Sequence, residues 1–340
     1  MKLEDFNYNL PQECIAQYPS EQRDQSRLLV LSKTDGSWED KVFCDIESYL
    51  NPGDILVLNE TKVIPARLFG QRPTGGKVEL FLLNRVEGDT WEVLARPGKR
   101  VRIGDIISFS IPEITATVID TTESGGRIVT FQYEGIWEEL LDRIGTMPLP
   151  PYIHDYAGDM ERYQTVYANV PGSVAAPTAG LHFTPELLNC LEEKGVRIAK
   201  VNLRVGLGTF RPVETENIED HKMHEEYYEI STTAAASINE VKANGGRVIS
   251  VGTTSTRVLE TVADKNGYLK AQSGWTRAYI YPGYHYKIID GLITNFHLPK
   301  SSLLMLVSAL AGREQILAAY EHAIEAGYRF FSFGDAMLII

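Results

Sequence analysis

The chain has 340 residues, 44% of them hydrophobic and 23% charged, which is typical of a folded globular protein and argues against a disordered one. The formal net charge of −12 argues against a protein that coats nucleic acid non-specifically, because such binding depends on clustered Lys and Arg. No run of about 18 apolar residues occurs, and the three cysteines form no C-x-x-C pair, so neither a membrane helix nor a thiolate zinc site is indicated.

The N-terminal part of the chain contains two apolar runs that predict strands, at residues 27–31 and 54–59. The first residues, 1–7, have neither the basic region nor the apolar region of a secretory signal. We therefore expect a cytoplasmic protein. We also expect both apolar runs to belong to an α/β domain.

The next part is rich in short runs of Val, Ile, Phe and Thr between turn residues, which is typical of closely spaced strands. Such strands predict a small antiparallel β-barrel, inserted at residues 67–147. The runs are residues 77–83, 91–95, 105–109, 114–119 and 127–133. Charge is segregated as well: residues 60–102 carry nine Lys or Arg against five Asp or Glu, whereas residues 214–229 carry seven acidic residues and one lysine.

Beyond the barrel, helix and strand signals alternate. Thr184 and Pro185 begin a predicted helix that Gly195 ends, and a strand follows directly. This alternation is typical of α/β folds. The predicted fold is therefore a large, barrel-like α/β domain, formed by residues 1–66 and 148–340, with the antiparallel β-barrel inserted between its two parts.

Three loops of the α/β domain have the composition of a small-molecule site. Such sites form where loops leave the C-terminal ends of strands, because helix N-termini there present free N–H groups. Each loop alone is more typical of a tight, capped turn, but three in one domain favour a binding site. The candidate binding residues are Thr178, Gly180, Gly206, Gly208, Thr209, Phe210, Arg211, Thr253, Thr254, Ser255 and Arg257.

Two common nucleotide-binding motifs are absent from the sequence. Gly206 and Gly208 resemble the start of a dinucleotide fingerprint, but Arg211 stands where the third glycine is required. No G-x-x-x-x-G-K-[ST] sequence occurs, so a P-loop is excluded as well.

Histidines are candidates for proton transfer, because an unperturbed imidazole titrates near neutral pH. His182 and His297 lie in polar segments, although a turn histidine bonded to the backbone is an equally good interpretation of either. His221 and His224 are three residues apart and do not form the H-E-x-x-H motif of zinc proteases. We expect no metal, and a proton-transfer or hydrogen-bonding role for one or both.

Together these segments resemble the S-adenosylmethionine:tRNA ribosyltransferase-isomerase family of queuosine biosynthesis, over nearly the whole chain. One position departs from the family pattern, because Arg204 stands where histidine is common. The matching stretches are residues 59–68, 147–153, 161–168, 172–184, 206–212, 221–224, 252–257, 294–300 and 328–337.

The resemblance implies a transferase-isomerase that consumes S-adenosylmethionine as a co-substrate. Its ribosyl unit would move onto 7-aminomethyl-7-deazaguanine at the wobble position of a tRNA with a GUN anticodon. Epoxyqueuosine-tRNA would form, and adenine and methionine would leave. The resemblance also implies a monomer.

The same resemblance implies roles for particular residues. His182, His224 and Asp335 are the candidate catalytic residues, and Asn295 and His297 join the substrate-binding set. The turn that contains Thr253, Thr254 and Ser255, with Arg257, is expected to hold the methionine carboxylate, because a helix N-terminus favours an anion.

The tRNA backbone needs a basic surface, and the cations near the insert are the candidates. They are Lys62, Arg67, Lys77 and Arg100.

Two other functions stay open: an ordinary S-adenosylmethionine-dependent tRNA methyltransferase, which would release S-adenosylhomocysteine, and a non-catalytic RNA-binding module, which would release no adenine.

Overall fold

The protein is represented by a computed structural model that describes residues 1–122, 125–154, 156–206 and 213–340. Its chain contacts separate two compact units. We call them the α/β unit (Met1–Thr61, Pro150–Val170 and Ala176–Ile340) and the barrel unit (Lys62–Leu149 and Pro171–Ala175). The predicted insert, residues 67–147, lies within the barrel unit, and its role as a separate domain stays a prediction.

The regular elements are numbered in chain order. The strands are β1 (Arg27–Leu31), β2 (Trp38–Val42), β3 (Ile55–Asn59), β4 (Thr61–Val63), β5 (Arg67–Gln71), β6 (Lys77–Glu87), β7 (Thr90–Arg96), β8 (Ile106–Ser108), β9 (Thr115–Thr121), β10 (Arg127–Gln132), β11 (Gly145–Thr146), β12 (Val170–Ser173), β13 (Arg197–Leu203), β14 (Glu226–Ile230), β15 (Val248–Val251), β16 (Gln272–Thr276), β17 (Gly291–Asn295) and β18 (Ala336–Ile339). The α-helices are α1 (Trp137–Ile144), α2 (Pro185–Glu193), α3 (Thr232–Ala243), α4 (Gly252–Val262), α5 (Ser302–Ala311) and α6 (Arg313–Glu325). Short 3-10 helices cover Leu3–Phe6, Gln12–Cys14, Arg23–Gln25, Phe43–Tyr49, Gly98–Arg100, Met160–Tyr163, Thr178–His182 and Ile218–Asp220.

The α/β unit is built on a mixed sheet of nine strands, in the order β16-β14-β13-β3-β15-β17-β18-β1-β2. Strands β13, β3, β15 and β17 are parallel, β18 is antiparallel to β17, and β1 is parallel to β18. Every residue of β3, β15, β17 and β18 is buried, as expected for strands that are covered on both faces.

Apolar clusters cover both faces of this sheet. Neighbouring residues of a strand point to opposite faces, and Leu292 accordingly packs in one cluster while Ile293 packs in the other. The first cluster contains Phe296 and Tyr320, and the second contains Phe183. The strand ends are therefore held by a core on each side.

Helix starts in the α/β unit follow the capping signals of the sequence. The Thr184 hydroxyl accepts a hydrogen bond from the Leu187 N–H at 3.1 Å, and Pro185 occupies the first turn of α2, as predicted. The helix ends before Gly195, whose φ of +95° is a conformation that glycine adopts without strain.

The barrel unit is a closed antiparallel barrel of six strands. The six strands run in the order β5-β6-β7-β10-β9-β8, and the pairing of β5 with β8 closes the ring, while the two-residue strand β11 also pairs with β5. Gly70 permits this closure, because a Cβ at that position would lie 2.6 Å from a side-chain carbon of Ile107. The predicted combination of an α/β fold with an antiparallel β-barrel is confirmed.

No single helix in the described part of the chain is long and apolar enough to cross a membrane. The consecutive helices α5 and α6 reach that length and hydropathy only as a pair, which is bent by 113°. Leu304 and Met305 of α5, and Ile316 and Tyr320 of α6, pack in the first apolar cluster.

Candidate active site

One edge of the nine-stranded sheet collects the ends of several strands. The parallel strands β13, β3, β15 and β17 all end there, as the register of each pair shows. Strand β18 is antiparallel to β17, and its pairing of Asn295 with Ala336 brings Asp335 to the same edge. Strand β14 likewise begins beside the end of β13. Loops at such an edge are the usual place for a ligand in an α/β protein.

Two of the three predicted binding loops are in contact at this edge. The 3-10 helix Thr178–His182 lies beside the start of α4, because a Cβ on Gly252 would be 3.7 Å from the Cβ of Ala179. Gly252 has a φ of +85°, so the sharp turn from β15 into α4 requires glycine. The turn therefore brings Thr253 and Thr254 next to the Thr178–His182 segment.

The buried carboxylate of Glu226 connects the loop that contains Arg257 to Gly206, the first residue of the remaining predicted loop. One of its oxygens accepts a hydrogen bond from Nη1 of Arg257, and the other accepts from the Gly206 N–H at 2.9 Å. Both side chains of this ion pair are only 4% exposed. Nε of Arg257 also donates to the Ala278 carbonyl at 3.1 Å, so the guanidinium is held in one orientation.

The first turn of α4 carries polar atoms that have no protein partner. The Thr254 hydroxyl, the Ser255 hydroxyl and Nη2 of Arg257 are buried and bond to no atom in the part of the chain that the structure describes. The residue before the helix, Val251, supplies no side-chain cap, so no capping side chain from that position occupies the N–H groups of the first turn. Because buried polar groups are normally hydrogen-bonded, this turn is suited to an anionic ligand group.

His182 is part of a hydrogen-bonded chain of four side chains. Its Nε2 lies 3.1 Å from Nδ2 of Asn295, and its Nδ1 lies 2.7 Å from the Ser26 hydroxyl. The Thr178 hydroxyl donates to Oδ1 of Asn295 at 3.0 Å. Since the amide nitrogen can only donate, Nε2 accepts and Nδ1 carries the proton. The chain fixes the Asn295 amide at the end of β17.

Burial keeps the His182 ring neutral. The ring is 5% exposed and stacks on Phe43, with 5.0 Å between ring centroids. Desolvation lowers its pKa to about 4, and the positive charges of Arg329 and Arg23 act in the same direction, whereas Asp335 opposes them. At neutral pH, therefore, the ring is in its proton-accepting form.

This low pKa predicts a loss of stability in acid. Between pH 6.5 and about 4, the unfolded chain binds a proton at His182 and the folded chain does not. The free energy of unfolding therefore falls as the pH falls. This group contributes up to about 1.4 kcal/mol per pH unit to that fall. Urea titrations at pH 7 and pH 5 should show a smaller loss for His182→Gln than for the wild type. The exposed His285→Gln is the control. Equal losses in His182→Gln and the wild type would contradict the assignment.

Asp335 is buried and serves as an acceptor for its neighbours. Its carboxylate accepts hydrogen bonds from the Arg27 N–H at 3.1 Å and from the Arg329 N–H at 2.8 Å. It also pairs with Nη2 of Arg329 at 3.1 Å. These contacts hold the turn before β18 against β1, and the predicted catalytic role of Asp335 stays a prediction.

His297 is surrounded by packed aromatic side chains. Its Nε2 lies 2.9 Å from the Thr294 hydroxyl, its N–H donates to the Tyr320 hydroxyl at 3.1 Å, and its carbonyl accepts from the Tyr8 hydroxyl. Burial lowers its pKa to about 3. These contacts are those of a core histidine, and its predicted place in the binding set stays a prediction.

The remaining predicted residues of the α/β unit are the paired histidines, His221 and His224. His224 is exposed, and the His221 ring lies 5.2 Å from that of Tyr279. Arg204, where the family pattern has histidine, places its guanidinium 4.8 Å from the ring centre of Tyr227. Among the described residues, no three His, Cys, Asp or Glu side chains could hold a metal ion together. Four predicted binding residues lie outside the described residues: Gly208, Thr209, Phe210 and Arg211.

The predicted RNA-binding cations belong to the barrel unit. Lys62, Lys77 and Arg100 are exposed. Arg67 is partly buried and pairs with Glu79, with 3.3 Å between Nε and Oε1. Three of the four side chains are therefore accessible to a phosphate.

The sequence analysis missed Glu226 and Ser26. Glu226 belongs to the acidic stretch 214–229, which was treated as a whole. Residues alternate along β14, so Glu226, Tyr228 and Ile230 are buried while Glu229 is exposed. Because neighbouring residues of a strand alternate between its faces, Glu226 and Glu229 point to opposite sides, but the order Glu-Tyr-Tyr-Glu-Ile does not show which of the two is buried. Ser26 gave no such signal, because it precedes β1 and is far from His182 along the chain.

The fold and this edge define an α/β protein whose candidate small-molecule site is built on strand ends and a helix N-terminus. A family model described as "Queuosine biosynthesis protein" matches residues 3–339. S-adenosylmethionine:tRNA ribosyltransferase-isomerases from Acetivibrio thermocellus and Thermoanaerobacter are 60% and 58% identical over the full length of both chains. The crystal structure of an S-adenosylmethionine tRNA ribosyltransferase from Thermotoga maritima is 38% identical, with a TM-score of 0.58, and the match covers 99% of this chain and 100% of that one.

The chain belongs to this family of queuosine biosynthesis proteins. The resemblance inferred from the sequence motifs is thereby confirmed.

Proposed function

We propose that the chain transfers and isomerises the ribosyl unit of S-adenosylmethionine onto 7-aminomethyl-7-deazaguanine at the wobble position of tRNA. The product is epoxyqueuosine-tRNA, and adenine and methionine are released. The relatives that are 58–60% identical carry the name of this enzyme class. The structural observation that carries the proposal is the first turn of α4, where Thr254, Ser255 and Arg257 have buried polar atoms with no hydrogen-bond partner among the described residues.

The reaction needs few protein groups. The sulfonium charge acidifies the neighbouring 5′ carbon, and a base removes a proton there. Adenine leaves with the electron pair of its glycosidic bond and takes up a proton, because its anion is a poor leaving group. The exocyclic amine of the modified base forms a new carbon–nitrogen bond to the ribosyl unit, which replaces the bond lost to adenine, and the amine releases one N–H proton. Loss of methionine, with cleavage of its carbon–sulfur bond, closes the epoxide.

The first turn of α4 is the proposed site for the methionine carboxylate. Nη2 of Arg257 supplies a charged donor, and the Thr254 and Ser255 hydroxyls supply neutral ones. The helix N-terminus adds a partial positive charge. The Thr253 side chain is also buried in this turn. A carboxylate bound here would satisfy groups that are otherwise desolvated without partners.

The Thr178–Asn295–His182 chain is the proposed contact for the purine or the ribose. Asn295 lies at the end of β17, and its amide is oriented by His182 and Thr178. His182 is neutral at neutral pH and is proposed to accept a proton. Because Asn295 occupies Nε2 in this structure, proton transfer at that atom requires the amide to move. His224, which is exposed, stays the second candidate.

The proposed macromolecular substrate is a tRNA with a GUN anticodon that carries the modified wobble base. The exposed cations of the barrel unit, Lys62, Lys77 and Arg100, are proposed to contact its phosphates. We also propose that the enzyme acts in the cytoplasm as a monomer.

Product analysis tests this function. The protein is incubated with S-adenosylmethionine and tRNA carrying 7-aminomethyl-7-deazaguanine, with tRNA carrying guanine as the control. We expect adenine and methionine in equal amounts, and only with the modified tRNA. S-adenosylhomocysteine would identify a methyltransferase instead, and RNA binding without adenine release would identify a binding module.

A further inference from the structure

The outer surface of strands β5, β6 and β7 places an aromatic ring among polar side chains. The strand register pairs Phe69 with Glu79, Glu79 with Arg96, and Gln71 with Lys77. Because alternate residues of a strand share a face, all five lie on one side of the barrel wall. We call this surface the β5–β7 face.

The opposite side of the same strands forms the barrel interior. Leu68, Val78, Leu80 and Val93 are buried, with at most 2% of each side chain exposed. Phe69, in contrast, is 56% exposed. A large aromatic ring gains nothing for the barrel core in this position, and its exposed face is available to stack on another flat ring.

A groove of about 930 Å3 runs along the β5–β7 face. Phe69 lines it together with Lys77 and Arg96. Phe109, from the segment after β8, also borders the groove, but it is only 8% exposed and stacks on Phe131, so Phe69 is the aromatic ring that the groove offers to a ligand. The groove therefore combines aromatic surface with two cations, which are the groups that hold an unpaired nucleotide.

The charges of the face suit a phosphate. Glu79 is its acidic residue, and its carboxylate pairs with Arg67 at 3.3 Å and faces Arg96 across the strands. Within the described residues, neither Lys77 nor Arg96 has a carboxylate within 4.0 Å, so both cations are available.

The barrel unit as a whole is less acidic than the rest of the chain. It contains 11 Lys or Arg against 12 Asp or Glu, whereas the rest of the chain contains 22 against 33. Exposed Lys99 and Arg100 follow β7, and Nη1 of Arg72 donates to the Arg100 carbonyl at 3.0 Å, which ties this basic segment to the end of β5. The acidic charge of the protein is thus concentrated outside the barrel unit.

We propose that the β5–β7 face binds an unpaired nucleotide of the RNA substrate, with its base stacked on Phe69 and its phosphate on Lys77 and Arg96. An unpaired nucleotide fits better than a double helix, because only an unstacked base can offer its face to an aromatic ring. The proposal rests on the proposed function for the identity of the RNA. It adds a stacking site that is separate from the residues assigned to S-adenosylmethionine.

Direct binding of a stem-loop RNA tests the stacking site without turnover. The probe is a 17-nucleotide hairpin with seven unpaired loop nucleotides, and 2-aminopurine replaces one loop base at a time. Loss of one base stack weakens binding roughly 5- to 150-fold, and we expect Phe69→Ala to do so and to abolish 2-aminopurine quenching at one loop position. Phe69→Trp should keep both the affinity and the quenching.

Two controls separate stacking from a general loss of structure. Ile119→Ala removes another exposed apolar side chain, 48% exposed, from strand β9 of the same barrel, and should leave binding unchanged. A blunt RNA duplex without unpaired bases should bind Phe69→Ala and the wild type equally. Lys77→Glu should weaken hairpin binding and its dependence on salt.

Unchanged affinity and quenching for the hairpin in a folded Phe69→Ala variant would overturn the stacking site. An equal loss of affinity for the duplex would overturn it too, because that result indicates a damaged phosphate surface. Adenine release by the wild type is measured separately. Its absence would contradict the proposed function, while the hairpin experiment would still decide whether Phe69 stacks on RNA.

Discussion

Replacing Arg257 by alanine should lower the free energy of unfolding by about 3–5 kcal/mol, because it breaks the buried ion pair with Glu226. Both side chains are only 4% exposed, so water cannot replace the lost contact. The same substitution should weaken S-adenosylmethionine binding roughly 10- to 150-fold, the usual effect of losing one hydrogen bond to a charged group. Urea titration and calorimetric binding measure the two effects.

Two further variants separate the stability effect from the binding effect. Arg257→Met combined with Glu226→Leu removes both charges and should recover most of the stability, while S-adenosylmethionine binding stays weak. Arg277→Ala breaks a comparable ion pair with Glu225 at the surface, where the two side chains are 70% and 47% exposed. That variant should lose no more than about 1 kcal/mol. Recovery of binding in the double variant would remove Arg257 from the site.

Asp335→Ala should lower the free energy of unfolding by about 2–4 kcal/mol, because it removes the acceptor of two backbone N–H groups and breaks an ion pair with Arg329, whose side chain is 36% exposed. Arg27 and Arg329 supply those groups, and Arg329 also supplies the guanidinium. The carboxylate is 2% exposed. Asp335→Asn keeps one acceptor oxygen and should lose less. The urea midpoint at constant slope measures the effect.

A surface pair gives the comparison for Asp335. Glu240 pairs with Arg197 at 2.7 Å, and its side chain is 58% exposed. Glu240→Ala should therefore change stability by no more than about 1 kcal/mol. If Asp335→Ala were as mild as Glu240→Ala, Asp335 would not hold the turn before β18, and its carboxylate would be free for another role.

Local signals in the sequence predicted much of the fold. The run at residues 27–31 predicts a strand where β1 lies, because a short continuous apolar run between polar residues is typical of a buried strand. The Thr184 cap and the Pro185 position marked the start of α2 correctly. Capping and periodicity depend on neighbours within a few residues, so a single sequence carries them.

Long-range pairing was not predictable from those signals. Strand β18, only four residues long at the end of the chain, lies between β17 and β1, and this insertion brings Asp335 beside Asn295. The Ser26 contact with His182 joins residues 156 positions apart. Such contacts depend on the strand order, which periodicity within one strand does not specify.

Some residues of the candidate site could likewise be predicted from local sequence, and others could not. The loop compositions indicated Thr178, Thr254 and Arg257, because small polar residues before a helix are visible locally. Glu226 is one of several acids in its stretch of the sequence, although in the structure its buried carboxylate connects Gly206 to Arg257.

The central claim is that the first turn of α4 holds the carboxylate of S-adenosylmethionine. It is tested most directly by comparing the affinity of S-adenosylmethionine with that of its decarboxylated analogue, in the wild type and in Thr254→Ala combined with Ser255→Ala. The wild type should bind the analogue more weakly, by roughly 10-fold or more, and the variant should discriminate much less between the two. Equal affinity of the wild type for both ligands, or full discrimination by the variant, would contradict the claim.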